Sequence, residues 1–290
     1  MTIVCTSDQE YYPMLRILAK SIAKNSPETR LYVRLVNCEV EHAKEIKRIH
    51  PKSNFLLDHK TLCSKRKKLQ RSGAPLQDEM FGVYQRGEGN AEGFRGAKWL
   101  YSEKMAYCSN IKFNTINLLL KRGVESVTYM DVDAIVRGSL KELDKISKIC
   151  DISMLVETND EIFMPKGGII DPRRIPKTDY YDRLANGSLE ELPYVEWHAG
   201  LFTIKNSRKT RDFFKIIEKK ISKPSELYDW EADQTLFNET YQEMKGKLSI
   251  YSLPQRLKDE SFEDDSTVWC GAGEHKFQTE KFIKEQKIYS

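Results

Sequence analysis

No stretch of this chain is apolar for long enough to cross a bilayer, and Met1 to Ser7 lacks the basic-then-apolar order of a secretory leader. The expected compartment is the cytosol, with no transmembrane segment. Nor does one sign of charge dominate: 47 Lys and Arg stand against 43 Asp and Glu, a net of +4, too little to demand a nucleic-acid partner. The six cysteines include no Cys-x-x-Cys pair. That argues against a zinc site or a disulfide frame and for reduced, partly buried thiols. No Gly-Lys-Ser or Gly-Lys-Thr follows the glycines at 87, 89, 93 and 96, so they make no phosphate loop.

What is present suits a soluble α/β protein. The 290 residues, 40% hydrophobic and 31% charged, can bury one substantial core, and a single domain over 1–290 is expected. Thr2 to Thr6, Leu31 to Val36 and Asn54 to Leu57 read as strands, with helices at Tyr12 to Lys24 and His42 to Ile49 between them. This alternation predicts a mainly parallel sheet covered on both faces, with ligands beyond the carboxyl ends of its strands. The loop after the first strand, with Thr6, Asp8 and Tyr11, therefore belongs at a site. Gly73 to Gly96, the least regular stretch, reads as a mobile loop, and Lys65 to Lys68 as a solvated helix face.

Val127 to Val136 is the most telling segment. Its β-branched and apolar residues predict a buried strand, yet Asp131 and Asp133 near its end cannot be core. On an extended chain residues i and i+2 point the same way, so the two carboxylates can face one cation. Mn2+ or Mg2+, sharing its shell with water and phosphate oxygens, fits such a pair. The preceding helix, with Ser109 or Asn110 as its cap and Gly123 at its end, would carry Lys112 toward the same point. Ser139 to Glu142 has the pattern of a capping box. Glu157 ends the strand from Asp151, and Asp233 with Gln234 opens a helix carrying Phe237, Tyr241 and Met244. Such a pair can hold sugar hydroxyls. Cys270 to Lys276, with two glycines, His275 and Lys276, breaks the rhythm with amides and an ammonium suited to a diphosphate.

In this order, Thr6-Ser7-Asp8 with Tyr11, Asp131-Val132-Asp133, His198-Ala199-Gly200, Ala232-Asp233-Gln234 and Gly273-x-x-Lys276 resemble the motifs of GT-A fold glycosyltransferases. The likeness is to the glycogenin and bacterial galactosyltransferase group, family 8, and it runs over almost the whole chain. The resemblance implies that Asp131 and Asp133 hold the metal on the diphosphate of a nucleotide sugar, a UDP- or GDP-sugar. It implies Thr6, Asp8 and Tyr11 at the nucleoside, Lys112 approaching the donor, Asp233 and Gln234 at the donor sugar, and Lys276 on the diphosphate. The acceptor would be a glycan, a protein or a small molecule.

Two departures stand out. His198-Ala199-Gly200 replaces the family's Asn-Ala/Ser-Gly on the acceptor side, and Cys270 stands where the family has a histidine metal ligand. Either Cys270 replaces that ligand, His275 reaches the metal instead, or the ion keeps only Asp131, Asp133, phosphate and water; a thiolate is a soft partner for a hard ion. An inverting transfer needs a base, with Asp233 the candidate and Glu157 and Glu231 behind it; a retaining transfer, toward which the resemblance leans, needs none. Two rivals remain: a nucleotidyltransferase, which attacks phosphorus and releases diphosphate, and a non-catalytic sugar or nucleic-acid binder.

Overall fold

The computed structural model describes residues 1–63, 67–68, 100–157, 196–229, 232–244, 246–271 and 273–290. Five elements open the chain: β1 (Thr2–Asp8), α1 (Tyr12–Asn25), β2 (Arg30–Val36), α2 (Val40–Ile49) and β3 (Ser53–Asp58). The two-residue strands β4 (Lys67–Lys68) and β5 (Leu100–Tyr101) pair with each other. Next come α3 (Glu103–Asn110), α4 (Lys112–Lys121), β6 (Ser126–Met130), β7 (Ile135–Val136), α5 (Lys141–Ile149), β8 (Ile152–Glu157) and β9 (Glu196–Lys205). The last part holds α6 (Arg208–Ile221), α7 (Pro224–Leu227), α8 (Ala232–Glu243), β10 (Ile250–Ser252), β11 (Val268–Trp269), a 3-10 segment Gly273–Gln278 and α9 (Glu280–Ile288).

Seven strands form the central sheet in the order β10-β8-β9-β6-β1-β2-β3, with β9 antiparallel to both its neighbours and the other pairings parallel. The expected α/β architecture, a mixed and mainly parallel sheet flanked by helices, is the one found. Successive side chains on a strand face opposite ways, so β1 serves two cores. Val4 packs with Phe113, Phe202, Phe213 and Phe237 on the side of α4, α6 and α8. Ile3 and Cys5 pack with Leu15, Leu18 and Ile46 on the side of α1 and α2. A strand buried on both faces is apolar nearly throughout rather than alternating, as in Leu31 to Val36, where the one exception, Arg34, is buried against Asp58. Each of these large side chains, fully buried, contributes about 1.5–3 kcal/mol.

Several local expectations give way to tertiary contacts. The run from Val127 is not one strand: β6 stops at Met130, Asp131 to Ala134 turn, with the Ala134 amide donating to the Asp131 carbonyl at 3.1 Å, and β7 resumes in a separate pairing with β11. Carboxylates that must stay near solvent or a counter-charge cannot continue a strand buried on both faces. The helix expected from Ser109 is found but starts at Lys112 with no side-chain cap; Ser109 and Asn110 end α3, which is capped by Ser102, whose Oγ accepts from the Met105 amide at 3.2 Å. Ser139 and Glu142 form no capping box: α5 has no side-chain cap, and the Glu142 carboxylate pairs with Arg256. Lys67–Lys68 is strand rather than helix. Gly123 does end α4, at φ +80°, with the Val124 amide returning to the Leu119 carbonyl. The loop expected over Gly73 to Gly96 lies outside the described residues.

Candidate active site

The carboxyl ends of β1 and β6 lie side by side in the sheet, since these strands pair from Thr2 with Val127 to Val4 with Tyr129. Where β6 ends, the Asp131 amide donates to the Gly200 carbonyl of β9 at 2.9 Å. That bond fixes the aspartate turn to the neighbouring strand. Burial pushes the Asp131 carboxyl up, to about 6, against the pull of Lys112, while Asp133 beside it pushes the same way. The Tyr129 hydroxyl donates to Asp131 Oδ1 at 2.9 Å.

Two buried lysines flank the turn, each closed on a carboxylate. Lys276, on the 3-10 segment, sits 2.6 Å through Nζ from Asp133 Oδ2, with its side chain 3% exposed. Lys112, at the start of α4 and 2% exposed, reaches Asp233 Oδ2 at 2.6 Å and donates to the Ala199 carbonyl at 3.3 Å. Its ammonium also lies 4.6 Å from the centre of the Tyr129 ring, close enough for cation–π attraction. Asp233 opens α8, where an acid is favoured by the helix dipole. Its Oδ2 also accepts from the Ser109 hydroxyl at 2.9 Å, and its Oδ1 from the Gln234 amide at 2.7 Å. Through Tyr129 and Lys112, Asp131 is linked to Asp233.

At the end of β1, Asp8 is buried and takes the Tyr11 amide at 2.9 Å and Lys104 Nζ at 3.2 Å. Lys104 also pairs with Glu10 at 2.8 Å. Burial pulls the Lys104 ammonium down, but Glu10 and Asp8 outweigh it and hold it above the usual lysine value. Thr6 is buried one residue before Ser7, with its hydroxyl oxygen unpartnered. Cys270 is fully buried, and its thiol donates to the Gly200 carbonyl at 3.5 Å. Burial pushes that thiol well up, and the nearby Asp131 charge adds to it.

The structure therefore brings Asp131, Asp133, Lys112, Asp233, Lys276 and Cys270 to one edge, with Asp8 and Tyr11 at the end of the adjacent strand. Glu157 and His198 are placed only as backbone in β8 and β9, and His275 only as backbone in the 3-10 segment; Glu231 lies outside the described residues. Among the described residues no three His, Cys, Asp or Glu side chains gather as a metal cluster. The donor set still suits a hard divalent ion: two carboxylates one residue apart, with Asp133 Oδ1 buried and accepting no hydrogen bond. Sequence reading missed Tyr129, Lys104 and Ser109. A tyrosine inside a buried strand has to find a partner for its hydroxyl, and an acid two residues on was a signal for it; Lys104 carried none.

No curated protein matches the sequence. Among solved structures, the chain is similar to the galactosyltransferase LgtC in complex with donor and acceptor sugar analogues (14% identity, 99% of this chain and 96% of that one, TM-score 0.48). It is also similar to the glycosyltransferase GlyE of Streptococcus pneumoniae TIGR4 (12%, 98% and 51%, TM-score 0.47), of which it spans about half the length. A third is mouse xyloside xylosyltransferase 1 (11%, 94% and 98%, TM-score 0.45). Among the described residues no helix is long and apolar enough to cross a membrane. The family model of glycosyl transferase family 8 matches residues 2–251, a span that takes in both aspartates, Lys112 and Asp233, and the chain belongs to that family.

Proposed function

We propose that this family member moves a sugar from a nucleoside-diphosphate donor to an acceptor hydroxyl, with Mn2+ or Mg2+ held by Asp131 and Asp133. The carrying observation is the aspartate turn itself, set at the carboxyl edge of the sheet between two buried lysines, with one carboxylate oxygen unpartnered. The bound cation supplies charge neutralisation on the diphosphate leaving group. Lys276 takes the diphosphate from the protein side, stabilising the negative charge that grows as the anomeric bond breaks. Asp8, Tyr11 and Thr6 sit at the end of β1, where the nucleoside would lie. With Cys270 donating to Gly200, the metal relies on the two aspartates, phosphate and water, and His275 is the remaining side chain to test.

Asp233 and Gln234 hold the donor sugar in this reading. Both Asp233 oxygens already accept hydrogen bonds, from Lys112, Ser109 and the Gln234 amide. Those bonds leave one acceptor position, on Oδ1, enough for a single sugar hydroxyl, and orientation of the sugar is the role assigned to it. Lys112 then holds Asp233 in place. Glu157 and His198 stand as acceptor-side candidates. The test is a screen of UDP- and GDP-sugars for metal-dependent turnover, with released nucleoside diphosphate and inorganic diphosphate assayed separately. Release of nucleoside diphosphate supports transfer at the anomeric carbon. Release of inorganic diphosphate would reassign the chain to nucleotidyl transfer, and no turnover with any donor, with or without acceptor sugars, would leave a binding protein.

A further inference from the structure

We propose that Lys276 is the resident counter-ion of the aspartate pair, and that it yields Asp133 to the metal only when a diphosphate arrives to take its ammonium. Cation and nucleotide then bind together, and each binds weakly alone. This rests on the donor and metal reading above, and adds to it a coupling between the two ligands.

Lys276 is almost fully buried, and its Nζ touches Asp133 Oδ2 at 2.6 Å. A buried ammonium is stable only while it has an anionic or strongly hydrogen-bonding partner. Asp133 supplies one, and its other oxygen, Oδ1, is left without a donor. A divalent ion shared by Asp131 and Asp133 would meet the ammonium as a like charge within contact distance, in a site from which water is largely excluded. The other lysine offers no relief, since Lys112 is closed on Asp233.

Counting charge leads to the same point. Three carboxylates, Asp131, Asp133 and Asp233, stand against two ammoniums, Lys112 and Lys276. With all of them ionised the cluster carries one net negative charge; a divalent cation alone overshoots it to a net positive, whereas a cation with a diphosphate does not. The diphosphate also gives Lys276 a new anionic partner as it leaves Asp133. Two ligands that each remove a cost borne by the other bind with positive coupling, and the coupling is reciprocal.

Equilibrium dialysis of Mn2+ tests this with wild type, Lys276→Met and Lys276→Gln, against buffer alone or buffer with UDP or GDP on both sides. Expected for wild type is weak Mn2+ binding alone and a gain of about tenfold or more with at least one nucleotide, within the usual range of coupling between sites. Both variants should bind Mn2+ alone about tenfold tighter than wild type, with the gain from nucleotide reduced. Lys276→Gln keeps length and a hydrogen-bond donor, so it carries the comparison if Lys276→Met fails to fold by circular dichroism. If nucleotide strengthens Mn2+ binding in wild type but neither variant binds Mn2+ alone more tightly, the counter-ion is overturned and the donor site stands. If no protein retains Mn2+ even with UDP or GDP, the donor-site reading falls and the proposal with it.

Discussion

Lys112 and Asp233, 121 residues apart in sequence, meet at 2.6 Å between Nζ and Oδ2, and Lys112 is 2% exposed. Removing one partner leaves the other charge buried, so Lys112→Met should cost about 3–5 kcal/mol. Asp233→Asn is costly too, because Lys112 is left buried without its anion and the single amide oxygen can keep the bond from Ser109 or that from the Gln234 backbone amide, not both. If Asp233 orients the donor sugar, Asp233→Asn weakens donor binding and lowers the rate together. If it is a base, the rate falls by about 10²-fold or more while donor affinity holds. Calorimetry of donor binding beside initial rates separates the two, and the anomeric configuration of the product checks the result independently.

Asp131→Ala and Asp133→Ala should each reduce metal-dependent turnover by about 10²-fold or more, since each removes one of two carboxylates for the ion. Their effects on stability should differ. Asp133→Ala strips the buried Lys276 of its partner and should lower the melting temperature. Asp131→Ala removes a carboxyl whose ionised form is disfavoured by burial, and should be the better tolerated. Thermal melts in excess chelator compare them, and wild-type turnover that persists in the same chelator would sink the metal role.

Tyr129→Phe removes the hydroxyl from Asp131 Oδ1 and keeps the ring beneath Lys112. A lost hydrogen bond to a charged group corresponds to about 1.5–3 kcal/mol. The expected effect is weaker Mn2+ binding in the presence of nucleotide and little change in the affinity for nucleotide alone. A fall in nucleotide affinity of equal size would place Tyr129 at the nucleoside instead.

Asp151, just before β8, ties three elements together. Its carboxylate accepts from the Ser207 hydroxyl that caps α6 at 2.8 Å, and from the Ser249 amide and hydroxyl ahead of β10 at 3.0 Å each. Burial alone would raise its pKa, but these bonds outweigh burial and hold it below the usual carboxylate value. A depressed folded value means the stabilisation is full above the unfolded pKa, about 3.9, and is lost as pH falls through the folded one. Asp151→Asn should therefore be less stable by about 1–2 kcal/mol at pH 7, and the gap in urea midpoints should close below pH ~4.

The sheet was legible in the sequence because apolar runs and helical periodicity are local. Leu31 to Val36, apolar but for Arg34, reads as a strand, and Phe213, Phe214, Ile217 and Ile221 as one buried face of a helix. The site was legible as residue types in order: Asp131, Asp133, Lys112, Asp233 and Lys276 do converge on one edge. Their pairing was not legible, because it depends on which strand lies beside which. Nothing local says that Lys112 closes on Asp233 rather than standing free, or that Ser109 serves Asp233 instead of capping a helix. The turn at Asp131 was misread as strand because the i, i+2 rule holds only while the backbone stays extended.

Gly271 gives the most stringent check on how the Lys276 loop is held. Its φ is +99°, and a Cβ there would fall 2.3 Å from Glu260 Oε1, whose carboxylate pairs with the fully buried Lys258. Gly123, at φ +80°, has nothing within 4 Å of its own added Cβ. Gly123→Ala should therefore cost only the backbone term, about 1–2 kcal/mol, and leave activity unchanged. Gly271→Ala carries the same term and must also displace Glu260 from Lys258 or move the segment that leads to Lys276. It should lose more stability than Gly123→Ala, and its KM for the donor should rise as Lys276 shifts from its place. Equal melting temperatures for the two variants, with unchanged donor KM, would show that Glu260 swings aside freely and that the Lys258–Glu260 pair does not position the loop.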